Sequence, residues 1–186
     1  MSKRFPIPEF DRDQYKNMAW QQPRLLSREE QAKLIEAARA GKPEAFGCHA
    51  VEADDAFYDR FALKGPHRHA VMCLTPPGKV RLVGRSWAWP IQRAVVVDSL
   101  DAGKAQVLQE WKTPRPMNTR LGPDNGVEIE GGVTYAVFGH RYSDYWIANR
   151  TLADTRAANG RGFSVVSATG DENNDFHACN LSFSWA

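Results

Sequence analysis

The chain has 186 residues, of which 42% are hydrophobic and 25% are charged, as is typical of one globular domain and not of a disordered or fibrous chain. Its 24 basic and 22 acidic residues nearly cancel, which makes nucleic acid an unlikely partner because no strong single-sign field results. No apolar run approaches the roughly 20 residues that span a bilayer, and the three cysteines form no CxxC motif, so we expect a cytoplasmic protein with reduced thiols and no membrane partner.

The first part of the expected single domain (1–186) covers residues 1–65 and is predicted to be helical. Ser27 and Glu30 form a capping box ahead of a helix over residues 28–40, which Gly41 and Pro43 end. Shorter helices are predicted over residues 11–21 and 52–63 from the spacing of their apolar side chains.

After Pro66 the apolar pattern changes to period two, which predicts an antiparallel β part over residues 66–186. Strands are predicted over residues 69–74, 80–89, 92–97, 104–111, 127–130, 133–142, 163–168 and 176–185. Residues 113–126 contain three prolines and two glycines, which indicates a long irregular loop of the kind that is often functional. Residues 145–150 continue a strand or begin the next, and a short helix is predicted over residues 151–158.

These elements predict an α+β fold that is mainly β. The many short strands favour a curled antiparallel sheet or β-barrel, lipocalin-like or half-barrel, with the N-terminal helices packed against it. A two-sheet sandwich fits nearly as well. No strand, glycine-rich loop and helix follow one another in the way that a dinucleotide-binding fold requires.

The densest group of reactive side chains lies in residues 139–150. On an extended strand His140, Tyr142 and Asp144 would face one way, and Arg141, Ser143 and Tyr145 the other. An imidazole oriented by a carboxylate, together with a phenol, is suited to general acid–base chemistry. The alternative is a half-buried histidine hydrogen-bonded across a strand pair, with ordinary strand-forming tyrosines around it.

A second group combines arginines with tryptophans and predicts a ligand-binding surface. Arg85, assigned with the catalytic residues, would hold a substrate carboxylate or phenolate. The ligand-binding residues that we expect are Trp87, Trp89, Glu110, Trp111, Arg115, Arg141 and Tyr145. Aromatic rings between arginines also suit a single nucleic-acid strand, or simply a sheet face on which arginine stems cover tryptophans.

His67 and His69 have the H-x-H spacing that points two imidazoles to one side of a strand, as in half of a metal site. His140, His177, Glu110 and Asp144 are candidates for further ligands, but no spacing singles one out. The simpler interpretation is a strand start with solvent-facing or capping histidines, so we expect neither a metal nor another cofactor. The acidic stretch 170–175 is predicted to be a hairpin turn and not a calcium loop.

These observations favour a protein that binds a small molecule inside a β-barrel. In its catalytic form it would be a cofactor-independent lyase or isomerase that acts on an aromatic or polycyclic substrate through His140 and Tyr142. One alternative is a non-catalytic interaction or assembly protein, for instance a homo-oligomer that associates through its exposed tryptophans and long loop. Another is a metal-dependent enzyme that uses His67 and His69.

Overall fold

The computed structural model describes residues 23–117, 119–154, 161–169 and 178–186. Helix α1 spans Arg28–Arg39 and helix α2 spans Asp55–Arg60. The strands are β1 (Gly47–Glu52), β2 (Leu63–Lys64), β3 (His69–Leu74), β4 (Lys79–Ser86), β5 (Gln92–Val97), β6 (Val107–Lys112), β7 (Arg120–Leu121), β8 (Val127–Glu130), β9 (Val133–Tyr142), β10 (Tyr145–Ala148), β11 (Arg150–Asp154), β12 (Gly162–Ala168) and β13 (Cys179–Ser184). The helix predicted over residues 11–21 and the acidic turn at 170–175 lie outside the described residues.

Helix α1 begins where the capping box predicts. The Ser27 hydroxyl accepts a hydrogen bond from the Glu30 amide at 3.1 Å, and the Glu30 carboxylate accepts one from the Ser27 amide at 3.2 Å. The Arg24 guanidinium also binds this carboxylate, and these hydrogen bonds lower the pKa of Glu30 to about 2. The box supplies acceptors for helix-start amides that have no partner within the helix.

The strands form two sheets. In the seven-stranded sheet A the long strand β9 is central. One edge of β9 pairs first with β3 and then with β10, and its other edge pairs with β5. Beyond these, β1 pairs with β3, β2 with β10 and β6 with β5. The six-stranded sheet B has the order β11-β12-β13-β4, and both β7 and β8 pair with the far edge of β4. Within the described residues neither sheet closes on itself, so the barrel and lipocalin-like forms are not confirmed.

The inner faces of the two sheets pack together and form the main core. Sheet A contributes Val71, Cys73 and Phe138, and sheet B contributes Leu82 and Phe183, among others. The alternation predicted for the last strand is confirmed over the described residues, because Cys179, Leu181, Phe183 and Trp185 all belong to this core. The two-sheet sandwich, the second of the predicted architectures, therefore describes how the sheets meet.

A second apolar cluster lies on the outer face of sheet A, where both helices cover it. Ala38 of α1 and Phe57 and Tyr58 of α2 pack with strand residues such as Met72 and Val95. The packing of N-terminal helices on a sheet is therefore confirmed. No helix among the described residues is long and apolar enough to cross a membrane.

Three predicted elements differ from the structure. The helix predicted over residues 151–158 is wrong at its start, since β11 runs from Arg150 to Asp154 and pairs with β12. Strands β1 and β2 lie within the part predicted to be helical; β1 is buried on both faces, so it shows no period-two signal. Strand β4 ends at Ser86, which leaves Trp87 and Trp89 in the following loop.

The end of α2 provides a stability test. Ala62 follows the helix with a φ of 54°, a left-handed conformation that a Cβ destabilises and that glycine adopts freely. We expect Ala62→Gly to raise the free energy of unfolding, as measured by urea denaturation, by about 0.5–1 kcal/mol. Ala32→Gly, within the exposed face of α1, is the matched control and should lower it by about 1 kcal/mol. A loss of stability in Ala62→Gly would contradict the assignment.

Candidate functional site

The hairpin of β9 and β10 holds most of the predicted reactive residues. Tyr142 pairs with Tyr145 across a two-residue turn, Ser143-Asp144, and Ser143 has a φ of 57°, as hairpin turns of this length require at their first central position. Directly paired residues share a face, so Tyr145 lies with Tyr142, and their rings meet edge to face at 5.7 Å. The expectation that Tyr145 faces the opposite way is wrong, because the turn interrupts the alternation.

The outer face of sheet A at this hairpin carries a group that we call the Trp146 cluster: Arg93, Glu110, Lys112, Arg141 and Trp146. Three cationic groups approach the indole ring of Trp146, with Arg93 Cζ, Lys112 Nζ and Arg141 Cζ at 5.7, 5.8 and 6.0 Å from the ring centroid. These distances lie within the range of cation–π attraction. Neighbouring strands β5, β6, β9 and β10 each contribute to the cluster, so the sheet positions it.

One carboxylate serves two of these cations. Glu110 Oε1 lies 3.4 Å from Arg93 Nε and 3.5 Å from Lys112 Nζ. The Arg93 side chain is only 9% exposed and also donates to the backbone oxygen of Phe61. Arg141 is exposed, and its Nε donates to the backbone oxygen of Ser143 at 3.3 Å. The cluster therefore holds three positive side chains and one negative one.

The opposite face of β9 carries a polar network that links the two sheets. His140 Nδ1 lies 2.7 Å from Asn149 Oδ1, and Asn149 Nδ2 donates to Gln92 Oε1 at 3.0 Å and to Ser167 Oγ at 3.1 Å. Because the amide nitrogen makes two donor bonds, Oδ1 is the acceptor and His140 Nδ1 carries the proton. His140 is therefore a half-buried histidine with an oriented imidazole.

The remaining residues of the predicted acid–base group lie at the surface. Tyr142 is 61% exposed and Tyr145 is 36% exposed, with Lys64 Nζ 5.3 Å from the Tyr145 ring centroid. Asp144 is exposed in the turn. The structure thus brings Tyr142, Tyr145 and Asp144 to one tip, whereas Arg141 and Glu110 belong to the Trp146 cluster.

The other predicted ligand-binding residues are spread over the fold. Trp111 is 8% exposed and packs in the core, where a Cβ at Gly84 or Gly122 would come within 3.0 Å of its ring. Arg85 lies in sheet B and donates to the backbone oxygens of Gly84 and Asp124. Trp87 is half-buried beside the sheet B end, while Trp89 and Arg115 are exposed in loops.

Both histidines of the H-x-H pair are half-buried: His67 precedes β3 and His69 begins it. His69 Nε2 lies 3.1 Å from the backbone oxygen of Thr151, a contact between the sheets. Burial lowers the pKa of His69, against the opposing effect of that hydrogen bond. Within residues 23–117, 119–154, 161–169 and 178–186, no three His, Cys, Asp or Glu side chains come together as a metal site would require; His177 lies outside these ranges. Burial also raises the pKa of the Cys73 and Cys179 thiols.

A groove of about 860 Å³, which the sequence did not indicate, lies on the outer face of sheet A. It lies between the start of α1, the segment that joins β1 to α2, and the loop between β5 and β6. Its lining includes Ser27, Glu52, Asp54, Leu100 and Tyr135. No local sequence pattern predicts this groove, because its walls come from four separate parts of the chain.

Comparison with known proteins does not assign the chain to a family. No protein-family model and no curated protein matches it. Among solved structures, the C-terminal domain of the BC2L-C lectin from Burkholderia cenocepacia is similar with a TM-score of 0.42 and 11% identity, over 60% of this chain and 91% of that domain. A similarity this low carries no argument about function.

The His69 environment predicts a pH dependence of stability. A folded-state pKa below the ordinary value of about 6.5 means that His69 stays neutral in the fold while the unfolded chain takes up a proton. The free energy of unfolding should therefore be highest above pH 6.5 and fall as the pH is lowered. We expect this fall to be smaller in His69→Gln, as measured by urea denaturation between pH 7.5 and 5. If the free energy of unfolding of His69→Gln fell with pH as steeply as that of the wild type, His69 would be excluded as a source of the pH dependence.

Asn149 provides a second test of the network. Asn149→Ala removes the acceptor of His140 Nδ1 and the donor to two buried oxygens, so we expect a loss of about 3 kcal/mol in the free energy of unfolding. Asn125→Ala is the matched control, because this asparagine is exposed and its backbone oxygen, which accepts from Arg81, is retained. Equal stabilities of the two variants would show that the network does not tie the sheets together.

Proposed function

We propose that this protein binds a small molecule with a carboxylate or phosphate group, and that the anion lies on the Trp146 cluster. The observation that carries the proposal is the convergence of three cationic groups within 6.0 Å of one indole ring with one carboxylate among them. The proposal keeps the sequence-based expectation of a small-molecule ligand but moves it from a barrel interior to an open sheet face.

Charge balance favours an anionic ligand. Three cations held near one another repel, and Glu110 offsets this repulsion only in part because it is shared by Arg93 and Lys112. A second anion near Arg141 and Lys112 would relieve it and gain charge-assisted hydrogen bonds. Planar carboxylates and phosphates match the fork of a guanidinium in particular.

The positions of the three cationic side chains favour binding of an anion in a defined orientation and not only general attraction of anions. Arg93 is nearly buried and fixed by Glu110 and the Phe61 carbonyl, so it loses little conformational entropy when a ligand binds. Arg141 and Lys112 are exposed and provide the accessible donors. Trp146 is half-buried and supplies a flat apolar wall beside them.

A lyase or isomerase that uses His140 and Tyr142 remains a separate prediction. Successive residues of a strand point to opposite sides, so His140 faces sheet B while Arg141 faces outward. A ligand on the Trp146 cluster would lie across the sheet from the imidazole. The binding function that we propose therefore does not depend on His140 as an acid or base.

The binding test uses benzoate and inorganic phosphate as probes, with backbone and indole NMR shifts as the measurement. We expect one of the two to cause saturable shifts at Trp146 and Arg141. Arg141→Gln and Lys112→Gln should each weaken binding about tenfold, which corresponds to about 1.4 kcal/mol. Benzoate as the stronger probe would indicate a carboxylate ligand, and phosphate would indicate a phosphorylated one.

Lys33→Gln is the matched control for Lys112→Gln, because it removes the same charge from the exposed face of α1. It should leave binding unchanged. The proposal fails if neither probe gives saturable shifts, if the shifts map to another surface, or if all three variants weaken binding equally.

A further inference from the structure

Three loops meet at one end of sheet A. Strand β5 begins beside the end of β9, where Gln92 pairs with His140, and beside the end of β6, where Arg93 pairs with Lys112. The loops before β5, after β6 and between β9 and β10 are therefore neighbours. The Met117 amide donates to the Trp89 oxygen at 3.0 Å, and the Arg141 amide donates to the Ile91 oxygen at 2.9 Å. We call this end the loop tip.

The loop tip gathers exposed apolar and aromatic side chains. Trp89 is 69% exposed, Met117 is 66% exposed and Tyr142 is 61% exposed, with Tyr145 beside them at 36%. The other large hydrophobic side chains exposed among the described residues are Val107 and Leu108, at the opposite end of β6. Side chains with more than 60% of their surface in water stand out from the protein, since neighbouring atoms cover only the smaller part.

The residue types at the tip are those that favour a membrane interface. Tryptophan and tyrosine combine an apolar body with a polar group, which places them at the level of lipid headgroups. Methionine adapts its shape to an irregular apolar surrounding. Projecting side chains of this kind become buried in a bilayer because its lipids rearrange around them. A protein partner would need a pocket of complementary shape to bury them.

The charges around the tip favour an anionic surface. Lys64, Arg115 and Arg141 are exposed there, against the exposed carboxylate of Asp144. A symmetric contact between two copies of this end would bring the same cations face to face, which costs free energy. Anionic headgroups attract such basic side chains near a membrane surface.

We propose that the loop tip docks on the surface of an anionic lipid bilayer, with Trp89 and Met117 inserted at the headgroup level and Arg115 and Arg141 against lipid phosphates and carboxylates. The loop tip shares Arg141 with the Trp146 cluster, but Trp89 and Met117 are not part of that cluster, so their variants test membrane docking separately from the proposed ligand. It also departs from the expectation of no membrane partner, which rested on the absence of a spanning segment.

The test is co-sedimentation of the full chain with phosphatidylserine-containing vesicles and with pure phosphatidylcholine vesicles. We expect partition to the first and at least tenfold weaker partition to the second. Trp89→Ala and Met117→Ala should each lower partition to the anionic vesicles at least tenfold. Leu108→Ala, the matched control, removes an exposed apolar side chain from the far end of β6 and should leave partition unchanged.

Circular dichroism of each variant checks the fold, which the exposure of Trp89 and Met117 should preserve. The proposal is overturned if the wild-type chain does not partition, or if Trp89→Ala and Leu108→Ala behave alike. It is also overturned if light scattering shows a dimer that Trp89→Ala dissociates, because a second copy would then cover the tip. Equal binding to soluble polyglutamate and to vesicles, unaffected by Trp89→Ala, would point to an acidic protein partner instead.

Discussion

Asn149 joins the two sheets through side-chain hydrogen bonds. It lies between β10 of sheet A and β11 of sheet B, where the chain leaves one sheet and enters the other. Its amide bonds Gln92 of sheet A and Ser167 of sheet B, and its carbonyl oxygen accepts from His140. A side chain with two donors and one strong acceptor satisfies two buried groups and one half-buried group at once, which an apolar residue of similar size could not do.

This joint determines the roles of the two faces of the β9–β10 hairpin. Because His140 is hydrogen-bonded to Asn149, the inner face of the hairpin has a structural role. The outer face carries Arg141 and Trp146. Arg93 comes from β5, which pairs with β9, and Glu110 comes from β6, which pairs with β5. The paired strands therefore fix the backbone positions from which the side chains of the Trp146 cluster extend, which favours binding because less order has to be gained when a ligand arrives.

Much of the local structure could be predicted from the sequence because it depends on local signals. The Ser27–Glu30 box sets the start of α1, alternating side chains mark β8, and short apolar runs mark β3 and β5. What could not be predicted depends on the conformation of a turn or on contacts between distant parts of the chain. The Ser143-Asp144 turn reverses the face of Tyr145, and only the sheet topology shows that Trp111 is buried beneath two glycines.

The candidate surfaces show the same limit. Arg93, Lys112 and Arg141 are separated by 19 and 29 positions in the sequence, so no motif could join them to Trp146. Trp89 and Met117 are likewise on different loops. Their residue types do not show whether their side chains are exposed or buried. The two surfaces are nevertheless close, because Trp89 lies four residues before Arg93 and Met117 five residues after Lys112. Salt separates their contributions: screening weakens the attraction of exposed cations for any anion, whereas the burial of Trp89 and Met117 in an apolar layer does not depend on charge.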